Sequence, residues 1–457
     1  MFHRLIVPTC RKERNPMYQF DRARYDKRMA WWLHDRFGMF IHFGLYSIPA
    51  RGEWLRSTEE LTVEQYQPFF DEFNPYAFDA RAWARMAREA GMKYMVLTAK
   101  HHDGFCLFDS AFSDYKVTNT PFGRDIVAEY VEACRAEGLK VGLYFSLIDW
   151  HHPDFPQYGD RQAPLRNDPV AGANKGRNWN RYLEFMHSQV REVCSNYGKL
   201  DLLWFDFSYD DMTGEKWGGT ELMSMVRELQ PDVIVNNRIE VSGEGFGSLA
   251  ACKPTPYHGD FVTPEQMIPP QGLHDVEGRP LAWEACVTMN GNWGYNVTDH
   301  YWKPADMLVR KLVECVSKGG NMILNVGPDA TGRFPEESVE RLRAIGAWME
   351  RNHPSIYGAG SVEGGPVEGL GKPDYGRVTR NGNTYYFHLY ENAIGPLPLV
   401  GVPKDRIVSI RRVADGTEVP ISTSWVHSDY PDVAFANLGP DPVLPDAVDT
   451  VLAVTVK

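Results

Sequence analysis

The sequence predicts an α/β protein: a (β/α)8-like, TIM-type barrel carrying a C-terminal all-β sandwich. Three observations lead there. Short apolar runs alternate with helical stripes from Phe37 to Arg351, the pattern of a parallel sheet covered by helices. No glycine-rich fingerprint follows the first run, which disfavours a dinucleotide-binding open sheet and favours the closed barrel. After Tyr357 the pattern changes to β alternation with hairpin turns. The expected division is 1–357 for the barrel and 358–457 for the sandwich.

Phe37-Gly38-Met39-Phe40-Ile41-His42 reads as the first buried strand, followed by a long loop with Gly52-Glu53-Trp54. Asp79 caps a helix in which Ala80, Trp83, Ala84 and Ala87 recur at helical spacing, and Gly91 ends it. The strand Tyr94–Ala99 runs with no polar spacer into Lys100-His101-His102-Asp103. Ile126, Val127, Tyr130, Val131 and Cys134 form the next helical stripe, closed by Gly138 before the strand Lys140–Ser146. A helix from Trp179 to Tyr197 leads to the strand Leu202–Asp206, and a helix from Glu221 to Leu229 leads to Val233–Asn236. Residues 240–280, rich in Gly and Pro, read mainly as loop, and long loops in compact domains tend to be functional. Leu281–Val287 is read as a further strand. The helix Pro304–Ser317, the strand Asn321–Val326 and the helix Glu336–Arg351 follow. Gly358 to Pro373 reads as a linker. Hairpins are expected around Asn381-Gly382 and Asp415-Gly416, with a last strand at Val448–Val456.

Composition narrows the function. Hydrophobic residues at 43% and charged residues at 24% suit a globular enzyme with a large core. A net charge of -12 with no basic stripe excludes nucleic acid as the expected partner. The 7 cysteines are scattered without CxxC spacing, so neither a disulfide framework nor a zinc site is expected. Reduced thiols and an N-terminal apolar run of only Leu5-Ile6-Val7 make cytoplasmic the expected location. No run could span a bilayer, and the polar segment before Met17 reads as an extension.

The chemistry gathers at the strand ends, the edge where α/β folds bind ligands. His42, His101 and His102, and Arg238 follow strands, Asp206 closes one, and Tyr144 lies in Gly142-Leu143-Tyr144-Phe145-Ser146 near the end of another. Together they suit a small polar ligand. Asp206, directly after Leu203-Trp204-Phe205, sits at the lip of a core, where burial disfavours its charge unless donors and cations surround it. So held, it could attack an electrophilic carbon; a structural aspartate at a strand end is the plain alternative. Retaining glycoside hydrolysis needs a second carboxyl as acid and then base, about 5–5.5 Å away. Glu240, Glu244, Glu265 and Glu284 are the candidates. A metal-dependent hydrolase using His101 and His102 is a competing reading. Adjacent residues of an extended strand point to opposite faces, and no H-x-H or H-E-x-x-H is present. A non-catalytic sugar-binding barrel is a third reading, one that needs no nucleophile.

At these residues the chain resembles the retaining α-L-fucosidases of glycoside hydrolase family 29. The resemblance rests on Phe37–Gly44, Gly52-Glu53-Trp54, Lys100–Phe105, Leu203–Asp206, Trp283-Glu284, Trp293–Asn296 and Lys318–Pro328. It implies a barrel with a C-terminal β-sandwich, and exo-hydrolysis of terminal α-L-fucosyl residues from glycans without metal or cofactor. It implies Asp206 as the nucleophile, and His42, Glu53, Trp54, His101, His102, Tyr144 and Arg238 as groups that grip the sugar or flank that nucleophile. Trp293 falls where the family places an aromatic, often Phe, against the fucose methyl. Gly259–Glu265 resembles the acid/base segment, which selects Glu265 with Glu284 in reserve. Activity on galactose-like sugars, which share the hydroxyl pattern, stays open.

Overall fold

Among the described residues, seven parallel strands form the first sheet: β1 (Phe37–Ile41), β2 (Tyr94–Lys100), β3 (Lys140–Ser146), β4 (Leu202–Asp206), β5 (Ile234–Val235), β6 (Glu284–Thr288) and β7 (Asn321–Val326). The computed structural model describes residues 20–156, 162–167, 174–241, 245–362, 372–423, 428–441 and 443–457. Within these the strand order is β5-β4-β3-β2-β1-β7-β6. The strands are almost wholly buried, because helices cover their outer faces.

The two edges of this sheet meet through one segment inside the expected loop 240–280. Asn236 bridges in parallel to Phe261, while Val262 and Glu265 bridge in parallel to Trp283 and Cys286. Residues 261–265 thus link β5 to β6 and close the ring. Pro264 and the flanking glycines and prolines hide this segment from any strand pattern.

Among the described residues, two helices of ten residues or more lie outside the expected elements, as do two single turns, Leu55–Thr58 and Gly247–Ala250. Arg22–Asp35 precedes β1 and plugs the amino-terminal end of the barrel with Met29 and Trp32. Val63–Glu72 lies in the loop after β1; its Thr62/Gln65 capping box was visible as T-x-x-Q. The helices Ala80–Glu89 and Ile126–Ala136 bury the predicted stripes, each capped by an aspartate. Gly91 and Gly138 then take positive φ, as helix-ending glycines do.

Inside the barrel, Phe40, Val96, Tyr144, Trp204, Phe261, Cys286 and Ile323 pack in layers. At its closed end the Tyr94 hydroxyl donates to Glu284, and burial pushes the Glu284 carboxyl up to about 8. Folded Glu284 therefore keeps its proton over a range where an unfolded glutamate, at about 4.3, has lost it. Its contribution to stability is full below about 4.3 and is lost as pH rises through about 8. The melting temperature of Glu284→Gln should accordingly fall less than that of wild type between about pH 5 and 8. Parallel declines in thermal melts of the two proteins would remove Glu284 as a cause.

Beyond the barrel lie β8 (Gly376–Asn381), β9 (Thr384–Leu389), β10 (Leu397–Pro403), β11 (Ile407–Arg412), β12 (Val433–Ala436) and β13 (Thr450–Val456). They make an antiparallel sheet β11-β13-β9-β8 and a β10-β12 pair, with Val378, Phe387, Leu399 and Leu452 buried between them. The expected turn at Asn381-Gly382 joins β8 to β9, with Gly382 at φ 56°. This sandwich docks on the barrel: Trp348 Nε1 donates to the Asp449 carbonyl at 3.1 Å and Arg310 Nε to that of Val448 at 2.9 Å. Most of the linker reading (363–371) and the polar N-terminal segment fall outside the described residues.

Candidate active site

Strand alternation explains which side chains reach the open end of the barrel. His42 follows Phe40 by two residues, Asp206 follows Trp204 by two, and Tyr144 shares their inward phase. β2 breaks this phase. Its register with β3 shifts between Thr98 and Lys100, a bulge that turns Lys100 outward beside Phe145. Lys100 Nζ then pairs with buried Asp149 at 3.2 Å. Asp103 also turns away, accepting from the Tyr66 hydroxyl at 3.2 Å, and burial pushes its carboxyl up to about 6. Of the four polar residues closing that strand, only the histidines join the site.

The strand argument against pairing those histidines does not hold. β2 ends at Lys100, so His101 and His102 lie in a turn, and their ring centroids stand 4.1 Å apart. Among the described residues, however, no group of three His, Cys, Asp or Glu side chains could hold a metal ion.

Asp206 lies at the centre. Its Oδ1 accepts from Arg238 Nη1 at 2.8 Å and its Oδ2 from the Tyr144 hydroxyl at 2.9 Å, with His102 Nε2 at 3.8 Å from Oδ2. Burial raises the Asp206 pKa above the ordinary aspartate value, and Arg238 and Tyr144 oppose the rise. Burial alone would lower the Arg238 pKa, but Asp206 and Glu265 reverse this and hold the guanidinium charged. Arg238 Nη2 donates to Glu265 Oε2 at 2.7 Å, Nε donates to Thr263 Oγ1 at 2.9 Å, and the cation lies 4.5 Å from the Trp204 ring centroid. One guanidinium thus holds two carboxylates, Asp206 buried and Glu265 with its side chain 38% exposed.

The other predicted residues surround this pair. Burial pushes Glu53 up to about 6, while the Gly294 amide donates to its Oε2 at 2.7 Å. The Trp54 ring lies 5.1 Å from His102, and the Trp293 ring 5.0 Å from His42. Two alternative acids lie elsewhere. Glu284 starts β6, in register with Asn321 at the start of β7, at the opposite end of the barrel from Asp206. Glu240 is engaged by the Ser248 amide and Thr255 hydroxyl within its own loop. Glu244 lies outside the described residues.

Sequence reasoning missed Ser146, Thr263 and Asn325, which contact the histidines and the arginine. All three are uncharged, and a search for titratable strand ends passes over them. Inward phase was their signal: Ser146 follows Tyr144 by two.

Residues 5–354 match the alpha-L-fucosidase family. The alpha-L-fucosidase of Dictyostelium discoideum is 31% identical over 392 residues, 78% of this chain and 77% of that protein. Alpha-L-fucosidase isoenzyme 1 from Paenibacillus thiaminolyticus superposes with a TM-score of 0.89 at 53% identity, covering 95% of this chain and 100% of that one. A GH29 alpha-L-fucosidase from Bacteroides thetaiotaomicron, trapped as a covalent intermediate with 2-fluoro-fucosyl fluoride, superposes with a TM-score of 0.79 at 28% identity. That match covers 99% of this chain and 100% of the other.

Proposed function

Because the chain belongs to the alpha-L-fucosidase family, we propose that Asp206 and Glu265 carry out a retaining hydrolysis of terminal α-L-fucosides in this site. The observation that carries the residue assignment is the guanidinium of Arg238 binding both carboxylates at once. In the first step an Asp206 oxygen bonds to C1 as the bond from C1 to the leaving oxygen breaks, and Glu265 gives that oxygen its proton. In the second, a water oxygen attacks C1, its proton passes to Glu265, and the bond to Asp206 breaks. Two inversions leave the α configuration. Arg238 and Tyr144 support Asp206 in its charged form despite its burial. His42, Glu53, Trp54, His101 and His102 offer polar and aromatic contacts to the sugar, and Trp293 a face for its methyl group.

Hydrolysis of 4-nitrophenyl α-L-fucoside followed by proton NMR tests this reading. α-Fucose should appear first and equilibrate to the β form; β-fucose as the first product would sink the double displacement. Arg238→Lys keeps a positive charge but cannot bind two carboxylates through a fork. Its kcat/KM should fall about 10²–10³-fold, the usual loss when a preorganised charge partner is removed. Kinetics on the same substrate read this directly.

No described helix is long and apolar enough to cross a membrane. The six described cysteines are free and mostly buried, which supports a reducing, cytoplasmic location as part of the same proposal.

A further inference from the structure

His42 and His102 each spend one ring nitrogen on a buried neutral partner, and those partners leave no freedom about where the proton sits. Asn325 Nδ2 lies 2.6 Å from the Trp293 carbonyl, which can only accept. The amide nitrogen must therefore face that carbonyl, leaving Oδ1 toward His42 Nδ1 at 2.7 Å. Since Oδ1 can only accept, His42 Nδ1 carries the hydrogen.

The same reasoning applies to His102. Ser146 Oγ lies 2.8 Å from the Ile148 carbonyl and 2.8 Å from His102 Nδ1. A hydroxyl has one hydrogen, and the carbonyl requires it, so Oγ accepts from His102 Nδ1. Among the described residues, nothing on the other side of the ring pulls the proton away. His102 Nε2 stands 3.8 Å from Asp206 Oδ2, beyond hydrogen-bond range, and that oxygen already accepts from Tyr144 at 2.9 Å.

We propose that Ser146 and Asn325 are positioning residues that fix His102 and His42 in the Nδ1–H tautomer, so that each presents an unprotonated Nε2 to the sugar. Burial holds both rings neutral, pushing their pKa values down to about 3. His101 differs. Its Nδ1 is buried with no partner among the described residues, and a buried N–H without an acceptor is costly. Its proton therefore sits on Nε2. The three histidines then offer the ligand two acceptors and one donor. Such a site selects for a sugar whose hydroxyls donate at two positions. This demand on the sugar rests on the fucosidase reading; the tautomers do not.

Long-range 15N–1H spectra of histidine-labelled wild type, with peaks assigned through His42→Gln and His102→Gln, test the proposal. Expected are Nδ1–H with bare Nε2 for His42 and His102, and the reverse for His101. Ser146→Ala should shift the His102 pattern, leave that of His42 unchanged, and lower kcat/KM about 10- to 100-fold, the usual cost of removing a histidine's orienting partner. A proton on Nε2 of either wild-type ring overturns the proposal, as does an unchanged His102 spectrum in Ser146→Ala. Fucose analogues carrying fluorine, a group that cannot donate, should bind as weakly as the deoxy analogues at two ring positions. Fluorine equal to hydroxyl at every position overturns the demand on the sugar. Expected spectra from a protein that leaves 4-nitrophenyl α-L-fucoside intact would count against the proposed function alone.

Discussion

Asp206→Ala should lower kcat on 4-nitrophenyl α-L-fucoside by about 10⁴-fold or more, the scale set by removing a covalent nucleophile. The fall should lie in kcat, because the aromatic walls and histidines that contact the sugar remain. Asp206 is poorly placed for a structural role alone. It is 8% exposed at the open end of the barrel, and both its oxygens are bound by side chains rather than by strand amides. Asp206→Asn separates charge from shape: it retains a group near Tyr144 and Arg238 but cannot form the ester. Its kcat should fall nearly as far. Asp206→Gly opens space beside C1, where azide can attack an activated fucoside directly. One inversion then gives β-fucosyl azide. Wild-type kcat in Asp206→Ala would falsify the nucleophile assignment, and an α-azide from Asp206→Gly would point to a surviving covalent route through another residue.

Much of this site was legible because a parallel barrel turns sequence into geometry. A buried strand is an apolar run, its end is the first polar residue, and alternation sets the face. Phe40/His42 and Trp204/Asp206 follow that rule. The rule fails where the backbone departs from regular pleating. At Ala99 the bulge reverses the phase, so Lys100 leaves the site and two adjacent histidines enter it together. Nothing in Tyr94–Asp103 announces a bulge, because what favours it is tertiary: the buried Asp149 that receives Lys100. The segment 261–265 was hidden for a similar reason. Its parallel pairing is spread over isolated bridges, and its first anchor is a buried charge. Asp260 accepts from Arg28 at 2.6 Å and Arg227 at 2.8 Å, and its Oδ2 accepts the Val235 amide at 3.0 Å. Strand spacing alone does not choose among Glu240, Glu265 and Glu284; the resemblance of Gly259–Glu265 to the acid/base segment points to Glu265, and the pairing of strands separates it from Glu284. All three are glutamates near apolar residues, and only register separates the closed end of the barrel from the open one.

Register also frames the second large effect. Glu265→Ala should behave differently with different leaving groups. An alkyl or sugar leaving group departs only if protonated, so natural-type fucosides should lose about 10²–10⁴-fold in kcat/KM, the range of general acid catalysis. A leaving group as acidic as 2,4-dinitrophenol needs no proton, so the first step should persist and the fucosyl-enzyme should accumulate. KM should then fall along with kcat, since hydrolysis of the intermediate becomes limiting. Azide needs no general base. It should restore turnover of the activated substrate and yield α-fucosyl azide, because it attacks a β-linked intermediate from the face that water would use. The anomer is the decisive reading, opposite to that expected from Asp206→Gly. Glu284→Ala, altered at the closed end of the barrel, should show no dependence on leaving group and no response to azide. Azide rescue in that variant, with none in Glu265→Ala, would transfer the acid/base role away from the residue that Arg238 holds.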